Sequence, residues 1–533
     1  MKADPTVPGQ KLWEDVPASL PAALTRLIQD CPDREALVTG TERITWAGLD
    51  RASRDLAAVL VARGVNRRTR VGLLMGNGID WAVCAFAVMR LGAVLVPLST
   101  LLRAPELEQQ LRVAAVERLV LVDGFRGRDL MEEFADLLPL DEQDGRTPRL
   151  PALKSAWRWD DLRSEARPAS TALADALEIR VRPADDLAIM FTSGSRGAPK
   201  GVVHTHGNAT RAVASGLRVR CVGPGERLYI PMPFFWMGGF GGGLLTVLMA
   251  GATLLTEPTD STPTPEQTLD LLSRERATLF RGWPDQAARL AAHPRTAETD
   301  LSSLRPGSLE AILPPHLRGR PGSKANLFGM TETFGPYCGD PLDHDMPPQA
   351  WGSCGTPFPG TSIRISDPET AEPVGPGEHG EIRVRGPNLM RGVCGRSREE
   401  VFTPDGWYRT GDLGHLDADG RLWCHGRLDD MLKIRGATVY PTEVEAALLT
   451  IPGVRQAFVT DIPDTTRAAR IAAAIVPEGD APLHEAEVLA AARTRLSAFK
   501  VPDILRVLPS GTDVPRTASG KVDKTALQRL LTR

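Results

Sequence analysis

Apolar positions between Leu49 and Val122 change period in a regular alternation. From Thr45 to Gly64, Leu49, Ala52, Leu56, Val59, Leu60 and Ala62 recur at helical spacing, with Gly64 as a stop. Val71 to Met75 reads as a strand, Ile79 to Leu91 as a helix and Ala93 to Pro97 as a strand. Pro105 to Val116 is helical and Leu119 to Val122 is a strand again. Such alternation predicts an α/β protein with largely parallel sheets covered on both faces. Gly124 to Pro183 is charged and Pro-bearing without sustained periodicity, so a surface excursion is expected there.

The apolar run Leu187 to Phe191 predicts a buried strand, and Gly251 to Thr256 and Ala277 to Trp283 continue the β/α rhythm. Pro336 to Pro359 carries little pattern. From Ser362 the texture changes to short alternating strands (Ile363 to Ile365, Glu381 to Arg385, Arg421 to Cys424) between turns. The expected division is a large domain over 1–426, its part from about 360 being β-rich, a connection at 427–430 and a small α+β domain over 431–533. Within the small domain the pattern predicts a hairpin Met431 to Val439, helices Thr442 to Leu449 and Leu483 to Leu496, and strands Val454 to Thr460 and Ile471 to Val476.

Composition narrows the class. A chain of 533 residues with 42% hydrophobic and 24% charged residues is ordinary for a globular protein. A net charge of −3 gives no electrostatic case for nucleic acid or an anionic membrane. The seven cysteines are scattered and form no Cys-x-x-Cys pair, which favours reduced thiols in a cytoplasm over a zinc site. Met1 to Leu20 has no apolar core of a signal peptide. Leu228 to Thr256 is uncharged and long enough to cross a bilayer, but Pro231, Pro233 and five glycines argue for a buried helix after a bend.

Chemistry concentrates in Thr192-Ser193-Gly194-Ser195-Arg196-Gly197-Ala198-Pro199-Lys200-Gly201. Glycines, hydroxyls and cations in one loop can aim N–H groups and charge at a polyphosphate. Pro199 before the Lys, and no Ser or Thr after it, exclude a Walker A loop. A polar hairpin is the plainer alternative. The order of residues resembles the phosphate loop of adenylate-forming enzymes, the acyl-CoA synthetase and luciferase superfamily. Four further runs follow in that family's order: Leu327–Gly335 (LFGMTETFG), Tyr408–Gly414 (YRTGDLG), Gly426–Glu445 and Pro515–Lys524.

The resemblance implies roles. Phe328, Gly329, Met330 and Thr331 would face the nucleotide, Thr331 and Glu332 would serve catalysis, and Glu332 would bind Mg²⁺. Asp412 would accept hydrogen bonds from ribose hydroxyls, and Arg427 would also reach the ribose. Asp429 would be the hinge of a mobile C-terminal lid, Lys433, Arg435 and Gly436 part of the CoA tunnel, and Lys521 the mobile catalytic cation. Pro231 to Phe240 would bound the acyl pocket, with Trp236 gating it. Gly238 and Gly239 either widen its wall or allow close helix packing. The implied reaction takes a carboxylic acid and ATP to acyl-AMP, then displaces AMP with CoA.

Relatives carry a Gly-Gly strip along adenine. Here the matching run is Ser308-Leu309-Glu310-Ala311-Ile312-Leu313, and its connection to Phe328 is short. The expectation is therefore an acyl-CoA ligase for a bulky, polycyclic acid that forms thioester readily but adenylates poorly. It would draw acyl-AMP from a separate adenylating enzyme, as in platensimycin-type diterpenoid (antibiotic) pathways. A full two-step synthetase is the alternative. A carrier-protein-loading ligase is disfavoured by the short stretch between Gly386 and Asp412, and a binding relic by the retained motifs. Assembly state stays open, a homodimer included.

Overall fold

The computed structural model describes residues 13–138, 148–165, 170–193, 199–258, 262–428, 432–434, 437–439, 441–464, 468–479, 483–496, 500–517 and 522–532. The expected hinge at Asp429 and the calls on Gly194, Ser195, Arg435, Gly436 and Lys521 lie outside the described residues. Contacts divide the chain into two compact units. The first is Met1–Ile363 with Val384–Tyr408; the second is Arg364–Arg383 with Arg409–Arg533. The β-rich stretch after Ser362 thus clusters largely with the C-terminal region.

Two large sheets dominate the first unit. The larger has seven strands in the order Gly392–Val393, Pro199–Thr205, Asp186–Ser193, Val94–Leu98, Arg70–Leu74, Arg118–Leu121 and Ser155–Arg158. It is parallel from Asp186–Ser193 outward to Ser155–Arg158 and antiparallel at Pro199–Thr205 and Gly392–Val393. The other runs Leu279–Phe280, Arg227–Tyr229, Thr253–Thr256, Glu35–Thr39 and Glu42–Thr45, parallel except for its last pair. Helix Trp46–Ala62 starts where Thr45 caps it, its hydroxyl accepting from Gly48 N at 3.0 Å. Helix Ile79–Arg90 is buried from Trp81 to Arg90 without a polar face, as a helix enclosed within a core must be. The single charge in that buried run, Arg90, is 5% exposed and paired with Asp50 at 2.8 Å and Glu178 at 2.9 Å.

Glu178 lies in the stretch expected to be a bare surface excursion, and that expectation is corrected. Gly124 to Pro183 contains the edge strand Ser155–Arg158 and the helices Leu130–Glu133, Trp159–Ser164 and Ala172–Glu178. Ser155-Ala156-Trp157-Arg158 carries only two apolar residues between polar ends, too weak a run to mark a strand. The strand is held instead by its parallel ladder with Arg118–Leu121 and by Arg63 and Arg118 over the Trp157 ring at 5.6 and 5.7 Å. Pro336 to Pro359 is likewise not patternless. Strands Gly335–Gly339 and Thr356–Pro357 pair antiparallel behind Phe328–Met330.

In the second unit, strands Ser362–Ser366, Gly380–Arg385, Tyr408–Leu416 and Leu422–Arg427 form one sheet, in that order, some of whose residues fall in the first unit. Asp412 lies inside the strand Tyr408–Leu416, opposite Arg427. The C-terminal body has strands Val454–Asp464, Ala468–Pro477 and Ile504–Val507, with helices Pro441–Leu449, Glu485–Arg493 and Lys524–Leu531. Its last strand and last helix are not among the elements expected from the sequence.

The uncharged segment is a buried helix, but it winds unusually. An α-turn at Met237–Gly239 passes into a π-helix at Phe240–Leu245 and then α-helix at Thr246–Ala250. Among the described residues no helix is long and apolar enough to cross a membrane. A Cβ on Gly239 would stand 2.2 Å from the Pro233 carbonyl oxygen, whereas one on Gly242 would meet only the Met237 carbonyl at 3.8 Å. Close backbone packing thus accounts for Gly239 without a pocket. Gly239→Ala is expected to lower stability by about 1–3 kcal/mol through forced backbone displacement. Gly242→Ala should be neutral or stabilising by up to ~1 kcal/mol. Thermal unfolding of the two variants checks the contrast; equal midpoints would refute it.

Candidate functional site

The phosphate-loop run is a hairpin whose two arms, Asp186–Ser193 and Pro199–Thr205, are both in the seven-stranded sheet. Thr192 lies opposite Lys200 and Ser193 opposite Pro199, so residues 194–198 join strand ends already in register. Lys200, the second residue of the returning strand, reaches Glu332, its ammonium donating to Glu332 Oε1 at 2.5 Å and to the Tyr408 hydroxyl at 3.0 Å. Tyr408 closes the triangle by donating to the same carboxylate oxygen at 3.1 Å. Burial pushes the Glu332 carboxyl up, but the Lys200 charge and the hydrogen bonds outweigh it and hold the group below its ordinary 4.5. Glu332 is therefore an ionised oxygen donor in a largely dry position.

The turn that carries Glu332 is set from beneath. Thr331–Thr333 forms one turn of 3₁₀-helix, closed by Phe334 in the left-handed region at φ 58°. His204, on the same strand as Lys200, bonds through Nε2 to the Thr331 carbonyl at 2.8 Å, while Asn208 Nδ2 reaches its Nδ1 at 2.9 Å. A carbonyl can only accept and an amide nitrogen can only donate, so His204 is the neutral tautomer protonated on Nε2. Complete burial agrees, pushing the ring down to about 4. Asn208 donates in turn to the Asn388 carbonyl at 3.2 Å, and Met390 N donates to the Glu332 carbonyl at 2.8 Å. His204 and Tyr408 were not singled out in the sequence. Tyr408 opens one of the matching runs and His204 lies three residues past the end of another, and only their convergence on residues 331–332 distinguishes them.

Phe328, Gly329 and Met330 form the strand that leads to this turn. Phe328 is half-buried, edge-on to Tyr337 with ring centroids 5.7 Å apart. A Cβ on Gly329 would lie 2.4 Å from the Gly335 carbonyl oxygen, so the glycine permits the hairpin to close. Phe334 connects the turn to the segment around Trp236. It packs edge-on to His204 at 4.8 Å and to Phe240 at 6.0 Å, and Phe240 meets Trp81 at 5.9 Å. Trp236 itself is half-buried against Phe235 at 5.5 Å, and Asn77 pins the bend by bonding Met232 O and Phe234 N.

The strip Leu309-Glu310 does not lie flat. Glu310–Ile312 coils into a 3₁₀ turn, and Leu309 packs toward the cluster of Tyr229, Phe280 and Leu304. Glu310 Oε2 accepts from Gly319 N at 2.6 Å, and Arg318 donates to the carbonyls of Leu313 and Ala311, so the loop is closed on itself. A cavity of about 430 Å³ opens between Glu310–Ala311 and Arg318–Asn326.

Asp412 and Arg427 meet in the second unit. Arg427 Nη1 donates to Asp412 Oδ1 at 2.9 Å and to the Thr410 carbonyl at 2.7 Å, across directly paired strands. Lys433 lies on the strand Leu432–Ile434, opposite Thr438. The candidate residues thus converge in two places, Lys200–Glu332 in one unit and Asp412–Arg427 in the other.

Comparison with known proteins identifies the family. The sequence matches the family described as AMP-binding enzyme over residues 24–394, and the AMP-binding enzyme C-terminal domain over 443–521. A (7a-methyl-1,5-dioxo-octahydro-inden-4-yl)propanoyl:CoA ligase of Mycobacterium tuberculosis is 33% identical, over 96% of this chain and 99% of its own. A feruloyl-CoA synthase of Amycolatopsis is also 33% identical, over 93% of this chain and 96% of its own. Among solved structures, ATP-bound MatB from Rhodopseudomonas palustris superposes with a TM-score of 0.80 at 27% identity, over 96% of this chain and 99% of that one. The anthranilate CoA ligase AuaEII in complex with anthranoyl-AMP gives 0.79 at 26% identity, over 97% and 98%. The chain belongs to the AMP-binding enzyme family and is an acyl-CoA ligase of the adenylate-forming superfamily.

Proposed function

We propose that this ligase joins a bulky, ring-bearing carboxylic acid to CoA, and that its thioester-forming half outruns its ATP-dependent half. The coiled, self-closed strip at Leu309–Glu310 carries this reading. Bare extended backbone can lie against a purine because no Cβ intervenes; a 3₁₀ turn with side chains cannot do so in the same way. A loss of about 3 kcal/mol on ATP weakens binding more than a hundredfold, whereas acyl-AMP keeps an acyl anchor. The ring-bearing acid is favoured by the indene-type substrate in the name of the mycobacterial relative. A natural-product (antibiotic) acid would fit the same reading.

A second reading, the full two-step reaction from ATP, has its own support. Leu309 packs toward the core and Glu310 bonds its own loop, which leaves the 430 Å³ cavity beside them as a reshaped slot. In either reading Lys200 would meet phosphate oxygens. Glu332, a hard ionised oxygen donor, fits Mg²⁺, which when bound would neutralise charge on those oxygens. Asp412 and Arg427 would hold the ribose, and the lid beginning after the 427–430 hinge would bring Lys521 and the Lys433–Gly436 hairpin to the site in turn.

ATP–pyrophosphate exchange and CoA transfer from supplied acyl-AMP, assayed separately with a series of ring-bearing acids, test the proposal. Transfer with exchange at least about a hundredfold slower is the expected result. Robust exchange would overturn the order of the two halves, and partial recovery in Leu309→Gly/Glu310→Gly would support it.

Glu332→Gln should slow adenylate chemistry by on the order of a hundredfold, because the position then carries no charge. The pair also has a pH signature. With the Glu332 value lowered in the fold, its stabilisation is complete above the unfolded value of 4.5 and is lost as pH falls through the lower folded value. Comparing acid unfolding of the native chain with Glu332→Gln measures this; parallel curves would rule the pair out as a contributor.

Trp236→Ala should broaden or weaken acyl binding and leave nucleotide affinity nearly unaltered. Ligand titrations decide it, and a change confined to nucleotide would remove Trp236 from the acyl pocket.

A further inference from the structure

Three histidines, none of them assigned to the reaction from the sequence, gather on the sheet of the second unit. His415 lies on the strand Tyr408–Leu416, His425 on Leu422–Arg427, and His379 immediately before Gly380–Arg385. One ring nitrogen from each lies within 4.8 Å of the other two. The local fold explains the convergence. Register between the two strands shifts by one residue after Leu413, with Gly426 opposite Leu413 and Cys424 opposite Gly414. This bulge leaves His425 as the extra residue, and a bulge re-aims its side chain. His379 is brought up by the turn before it, where Gly377 N donates to Leu416 O at 2.8 Å.

The rings are ordered. His415 Nδ1 and His425 Nε2 share a hydrogen bond at 2.8 Å with their planes 13° apart, so the two imidazoles meet edge to edge. His379 lies over them, its centroid 4.4 Å from His425 and 5.0 Å from His415. Trp423 stacks on His415 with planes 3° apart and centroids at 5.9 Å, and is held by Asp417, which accepts from its Nε1 at 3.0 Å. The His425 carbonyl accepts from the Thr442 hydroxyl. His415 and His425 are half-buried, while His379 is exposed.

We propose that His379, His415 and His425 form a binding site for a divalent transition-metal ion of the zinc, cobalt, nickel and copper group. Neutral imidazole nitrogens suit these ions, and three of them with water in the fourth position make a tetrahedral set. Bonds of about 2.0–2.1 Å at tetrahedral angles place ligand nitrogens roughly 3.3 Å apart. The His415–His425 pair need open only by a few tenths of an ångström, the ring that bears the shared hydrogen moving it to its other nitrogen. The exposed His379 swings over the ion as the third ligand. Bound there, the ion ties three segments of one sheet, two residues before Arg427. The site is independent of the reaction proposed above and differs from any Mg²⁺ at Glu332, which takes oxygen donors.

The test uses the full chain with any affinity tag removed, since a histidine tag binds the same ions. Zn²⁺ is titrated calorimetrically, and Co²⁺ is followed by visible absorption. One equivalent of Zn²⁺, tetrahedral Co²⁺ bands without thiolate charge transfer, and a raised melting midpoint are the expected results. His379→Ala should weaken Zn²⁺ binding by on the order of tenfold or more while leaving circular dichroism unchanged, since this residue is exposed. His415→Gln should do the same. No stoichiometric uptake by the native chain, thiolate bands that place the ion on cysteines, or unchanged affinity in both variants would overturn the proposal.

Discussion

The Lys200–Glu332 contact at 2.5 Å, within reach of the Tyr408 hydroxyl, is the constraint around which the larger unit is arranged. A buried carboxylate and an ammonium are costly apart and tolerable together. Their meeting requires the end of a sheet strand, a 3₁₀ turn more than a hundred residues later and a further strand to arrive at one point. Each arrival is independently secured: the hairpin register fixes Lys200, the neutral His204 with Asn208 fixes the carbonyl side of the turn, and Met390 fixes Glu332 O.

The same economy governs the apolar side. Phe334, in a left-handed conformation, touches His204 from one direction and Phe240 from another. It thereby couples the turn bearing Glu332 to the Gly-rich helix and its Pro231–Phe240 bend. Edge-on aromatic contacts are worth only about 0.5–1.5 kcal/mol each beyond their buried area. Their value here is directional, because a ring held on two edges fixes the backbone that carries it. The second unit uses a different device. There Asp412 and Arg427 are cross-strand neighbours, and a bulge only a few residues away turns His425 toward His415.

Much of this was legible in the chain. Alternating periods between Thr45 and Val122 specify covered parallel strands, since a helix of period 3.6 and a strand of period 2 bury different residues. The motif order from Thr192 onward specifies the family, and the same motifs carry Lys200, Glu332, Asp412 and Arg427. What sequence could not show was anything held by partners rather than by period. The four-residue strand Ser155–Arg158 exists because Arg118–Leu121 offers it a ladder, and Glu178 matters because Arg90 is buried beneath it.

The division follows from range. Helical spacing, turn residues and loop chemistry are properties of neighbouring residues, so the linear text carries them. Convergence is not. Tyr408 and His204 join the candidate site only because the fold brings them to residues 331–332, and only the fold coils the Leu309–Glu310 strip into a core contact and a loop closure. The three histidines, spread from 379 to 425, share a face only because one strand bulges and a turn returns beside it. Tertiary structure decided these points because each depends on contacts between residues that the sequence keeps apart.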